Sequence, residues 1–68
     1  MTATIRINGA EQALTERGLH ALLQQHGVRQ ARGCAVAVNG SVVPAAQWAE
    51  RQVAPGDEIE ILRIVGGG

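Results

Sequence analysis

The last three residues of the 68-residue chain are Gly66, Gly67 and Gly68, directly after an apolar, strand-like run. Glycine loses more backbone freedom on ordering than any other residue, so three in succession suit a frayed end. They also suit an end that is threaded into something. A terminal glycine has no Cβ beside its carboxylate carbon and can pass a channel that any side chain would block. Three extended residues reach about 10 Å beyond a folded body. A free α-carboxylate is ionised at neutral pH and can attack the α-phosphate of ATP. The acyl-adenylate so formed carries a good leaving group. A sulfur nucleophile that displaces AMP leaves an acyl persulfide or a thiocarboxylate on Gly68.

The other reactive side chains point to plainer roles. Cys34 is the single cysteine and closes no internal disulfide. It opens an apolar run, which suits a half-buried structural thiol better than a nucleophile. His20 and His26 are six apart on one expected helix and do not share a face as an i, i+4 metal pair would. No other metal-ligand spacing appears, so no metal is expected. Glu58 and Glu60 alternate along a strand and read as a solvated face. Arg29 and Arg32 sit in a polar loop, not on a nucleic-acid-binding stripe. Trp48 reads as a lid over one end of a sheet.

Composition sets further bounds. The chain has six Arg, no Lys and six acidic residues, for a net charge of zero. That balance argues against nucleic acid or an anionic membrane as the main partner. The longest unbroken apolar run, residues 34–38, is far too short to span a bilayer. Residues 1–8 lack the apolar stretch of a secretory signal, so a cytoplasmic location is expected. Lacking Lys and Tyr, the chain excludes Schiff-base and Tyr-acid chemistry. A domain of this size buries only about 60% of its unfolded surface, leaving little room for an enclosed pocket. The expected part in any reaction is that of substrate or carrier, with no catalytic residue and no bound cofactor, and a monomer when free.

The elements that must position the tail are legible from periodicity. Residues 3–8 alternate apolar and polar, the period of a half-buried strand. Asn8-Gly9 follows, the strongest short hairpin signal, and residues 10–14 form the return strand. Leu19, Leu22, Leu23 and His26 fall on one stripe of a helix, placed at residues 17–26 with Thr15 or Gly18 as the cap and Gly27 as the stop. Residues 34–38 form a covered strand, Asn39-Gly40 repeats the hairpin signal, and residues 41–43 form a short return. Residues 45–50 form a short helical turn carrying Trp48, and residues 54–57 a turn. Residues 58–65 form the last strand, with Ile59 and Ile61 on one face and Glu58 and Glu60 on the other. The expected class is α+β, in the order β-β-α-β-β: a mixed sheet of four to five strands packed on one helix, the β-grasp or ubiquitin-like arrangement. Residues 1–65 make the domain and 66–68 a flexible reactive tail.

On this last strand, Leu62 and Ile64 share the open face with Glu58 and Glu60. Two large apolar residues exposed beside a reactive tail form an expected contact patch for a partner. Arg63 falls formally on the inward face, though strand-end twist can swing it out; pairing with an acidic partner surface and a plainly solvated side chain are both open readings.

Three stretches carry a family resemblance. Val36-Ala37-Val38-Asn39-Gly40, with Val43-Pro44 and Trp48, resembles the central pattern of the ThiS family, the sulfur carriers of thiamine thiazole biosynthesis. Pro55-Gly56-Asp57-Glu58-Ile59 resembles its approach to the last strand, and Leu19-His20-Ala21-Leu22-Leu23 its helix. Gly67-Gly68 matches its Gly-Gly end; Gly66 adds a glycine that the family pattern does not ask for. The resemblance implies that a ThiF-type adenylyltransferase uses ATP to adenylate Gly68. It further implies that a cysteine desulfurase supplies sulfur, and that thiazole synthase (ThiG) consumes the thiocarboxylate. A molybdopterin-type sulfur carrier and a ubiquitin-like binding module with an inert end are the alternative readings.

Overall fold

The structure is a computed structural model that describes residues 3–30 and 32–63. Its elements are β1 (Thr4–Ile7), β2 (Ala10–Ala13), α1 (Leu19–Gln25), β3 (Cys34–Val38), β4 (Ser41–Val42), a 3-10 turn (Ala45–Gln47) and β5 (Glu58–Arg63). All five strands join one sheet in the order β2-β1-β5-β3-β4. The last strand is therefore the central one. It runs parallel to β1 and antiparallel to β3.

Both hairpins turn on Asn-Gly, as the sequence predicts. Asn8 and Asn39 have φ of 50° and 52°, and Gly9 and Gly40 have φ of 85° and 83°. Positive φ at both central residues matches the turn to the right-handed twist of the strands it joins. The registers follow directly, with Ile7 opposite Ala10 and Val38 opposite Ser41.

The helix is shorter than the expected residues 17–26. Arg17 and Gly18 stay outside the helix because they pair with the segment after the 3-10 turn. Val53 N–H donates to the Arg17 carbonyl at 2.6 Å, and Leu19 N–H donates to the Arg51 carbonyl at 3.0 Å. Gly18 is the N-cap and offers no side-chain bond. The Thr15 hydroxyl, the other expected cap, instead pairs with the Gln25 amide.

Helix α1 ends where Gly27 adopts a φ of 83°. Val28 N–H reaches back to the Leu23 carbonyl at 2.9 Å and Gly27 N–H to the Gln24 carbonyl at 3.1 Å. These two bonds form a Schellman motif, and the apolar contact it favours lies between buried Leu23 and buried Val28. A Cβ on Gly27 would stand 3.0 Å from Arg63 Nη2 as well as forcing a left-handed alanine. Gly27→Ala is expected to lower stability by about 1–2 kcal/mol in urea unfolding.

The core lies between α1 and the inner face of the sheet. Leu19, Leu22 and Leu23 pack with Ile5, Ile7, Val36, Val38 and Ile59, while Ile61 is partly buried at its edge. Val43, from the expected return strand, joins them, as do Val28 and Val53, which no strand or helix period marked. Trp48 is buried as a lid, and its indole N–H donates to the Val43 carbonyl at 2.8 Å. That bond satisfies the one polar atom a buried tryptophan brings with it.

Candidate functional site

The candidate site is the end of β5, from which residues 64–68 lead on. Ile64, Gly66, Gly67 and Gly68 lie outside the described residues, as do residues 64–65 of the expected last strand. What the structure describes is how the root of that segment is held.

Strand β5 is gripped from both sides by the turn asparagines. β1 pairs with β5 only as far as Ile7 opposite Ile59. Beyond that point Asn8 continues the ladder with its side chain. Its Oδ1 accepts the Ile61 N–H at 2.8 Å, and its Nδ2 donates to the Ile61 carbonyl at 3.3 Å. On the other side, Asn39 Oδ1 accepts the Glu58 N–H at 3.0 Å, and Asn39 Nδ2 donates to Asp57 Oδ1 at 3.0 Å. Asp57 Oδ2 also accepts the Ala54 N–H at 2.8 Å, which fixes the turn before β5. An asparagine tolerates the left-handed turn position and keeps a free amide to spend on a neighbour. The sequence marked both residues as turns. Their second role needed the strand order, which brings each turn beside β5.

Arg63 keeps the inward face that alternation gives it. It is not swung away towards the open face. Its Nη2 donates to the His26 carbonyl at 2.8 Å, at the C-terminal end of α1. His26 is the C-cap, and its carbonyl is left over by the Schellman bonds. A guanidinium there also meets the negative end of the helix dipole. Arg63 thus ties the root of the tail to the helix, while its side chain remains exposed.

Leu62 stands where the alternation places it, on the open face and 63% exposed. It lies opposite Ala35, and Ala37 lies opposite Val42. Val42 is 73% exposed, so the apolar patch continues from Leu62 over two small alanines to Val42. Val42 was missed by the sequence reading. The two-residue turn at Asn39-Gly40 fixes Val42 on the face of Ala37, which was the available signal. Glu58 and Glu60 are exposed beside this patch.

Cys34 is free and half-buried opposite Arg63. His20 is exposed and His26 partly buried at the helix end. Among the described residues no three His, Cys, Asp or Glu side chains come together as a metal site. No described helix is long and apolar enough to cross a membrane.

A mixed five-stranded sheet on one helix, with its final strand in the centre and a glycine end beyond, defines a ubiquitin-like β-grasp domain. The match to the ThiS family model covers residues 5–68, and the chain belongs to that family. It is 41% identical over 59 residues to the sulfur carrier protein ThiS of Escherichia coli K12, spanning 87% of this chain and 88% of the relative. The crystal structure of the thiamine biosynthesis protein ThiS from Geobacter metallireducens superposes with a TM-score of 0.78 at 28% identity. That superposition covers 96% of this chain and 99% of the other.

Proposed function

We propose that this chain is a sulfur carrier of thiamine biosynthesis and that Gly68 is the residue that carries the sulfur. Membership of the ThiS family supports the role. The observation that bears most on the chemistry is the hydrogen-bonded anchoring of β5 up to Arg63, five residues before Gly68. A partner that holds the body can place a segment of fixed length in its own active site.

In the proposed cycle the Gly68 carboxylate attacks the α-phosphate of ATP, releasing pyrophosphate and giving the acyl-adenylate. A ThiF-type adenylyltransferase binds the nucleotide; the carrier holds no cofactor. A persulfide sulfur, supplied through a cysteine desulfurase, displaces AMP. A thiol then cleaves the S–S bond, leaving the thiocarboxylate on Gly68 and a disulfide on the donor. Thiazole synthase takes the sulfur and the carrier returns as its carboxylate. The chain acts as co-substrate, with residues 66–68 as the reactive segment. Leu62, continued by Val42, and Ile64 form the apolar contact for the partner, beside Arg63.

The test is an intact mass of the full chain after incubation with ATP, its adenylyltransferase and a persulfide source. The expected product has one oxygen replaced by sulfur, located at Gly68 by fragmentation. A chain that binds the enzyme yet never forms an adenylate is instead a ubiquitin-like binding module.

A further inference from the structure

Three of the six arginines meet in one place. Arg29 and Arg32, on the loop after α1, line a shallow open depression together with Arg63 and Cys34. None of the six acidic residues of the chain lines it. In a protein of zero net charge this leaves a local excess of positive charge at the end of the domain where β5 leads into residues 64–68. Arg63 has one nitrogen engaged with the His26 carbonyl. Arg29 and Arg32 are exposed.

We infer that this arginine depression is a docking surface for carboxylates on the rim of the enzyme that activates Gly68. The inference rests on the carrier reading above. Its physical basis is reach and charge. Five residues separate Arg63 from Gly68, so an extended tail spans about 17 Å. An enzyme holding Gly68 in its active site must therefore touch the body close to the root of that tail. The guanidiniums there are forks suited to carboxylates. A small free anion in so open a site would stay in water and gain little. A protein rim covers the depression, excludes water and makes the same pairs stronger. Opposite charge also steers the encounter and fixes its orientation, so that the tail meets its channel. Arg63 then serves twice, holding the helix end and facing the partner.

The experiment measures binding and chemistry separately. Binding of the full-length carrier to its adenylyltransferase is titrated across ionic strengths, and Gly68 adenylation is followed in parallel. The variant Arg29→Glu/Arg32→Glu is compared with Arg17→Glu/Arg51→Glu, an equal charge change on residues that do not line the depression. The first is expected to weaken binding at low salt by about tenfold or more and to flatten its salt dependence. Its turnover at saturation should hold, and the second should bind nearly as the wild type does. On the wild-type chain, alkylation of Cys34 should slow when the enzyme is added, because Cys34 lines the same depression. Equal binding by both double variants, with Cys34 alkylated at an unchanged rate, overturns the inference. Arginine-dependent binding without adenylation overturns the carrier chemistry and leaves the surface standing. A wild-type chain that does not bind at all overturns both.

Discussion

Deleting Gly68, or adding one residue after it, is expected to abolish sulfur loading while leaving the fold as stable as before. In the proposed cycle the activating enzyme presents a carboxylate oxygen to the α-phosphate from a body it holds at a fixed distance. One residue changes that distance by about 3.3 Å. A misplacement of about 1 Å already costs on the order of 10²-fold in rate, so the loss should exceed that. An added residue also moves a side chain or a longer backbone into the channel. The buried core lies between Ile5 and Val53, with Ile59 in the central strand, well before the altered position. Stability should therefore stay within about 0.5 kcal/mol. Single-turnover adenylate formation, with urea unfolding as control, checks both halves. Near-wild-type loading by either variant would sink the mechanism.

The second large effect concerns the body. Leu23 is fully buried, stands at the centre of the helix stripe, and packs where the Schellman turn closes over Val28. Leu23→Ala removes buried methyl groups and leaves a cavity, a change that costs about 2–5 kcal/mol. A domain of 68 residues has a total stability of about 3–10 kcal/mol. The variant should lose a large share of it and populate unfolded chains at moderate temperature. Trp48 is the only aromatic residue and is buried, so its fluorescence reports the transition without labelling. An unfolding midpoint unchanged from the wild type would show that Leu23 does not carry the core.

The strands and the helix stripe were legible because burial imposes a period. Ile5 and Ile7, Val36 and Val38, and Ile59 recur every second residue, while Leu19, Leu22 and Leu23 recur on a helical face. Each Asn-Gly pair declared its hairpin because few other residues accept that backbone. Val28 and Val53 were less visible, each an apolar residue in an irregular segment, buried by contacts made far along the chain. The start of α1 was misplaced for the same reason, since the pairing of residues 17–18 with 51–53 leaves no local trace. At the site, the position of Leu62 followed from alternation alone. The engagement of Arg63 with the helix end did not, because alternation gives a side chain's face and not its partner.

The place of β5 in the sheet has a consequence for biosynthesis. A ribosome delivers this strand last, yet it is the one that joins the two hairpins, with β1 on one side and β3 on the other. Before it, the chain can form the two hairpins and the pairing of residues 17–19 with 51–53, but the two halves of the sheet wait for residues 58–63. The long-range contacts that close the domain come together in one late step. Vectorial synthesis thus completes the sheet only as the chain's end emerges: the body and the segment that follows β5 become available in the same event.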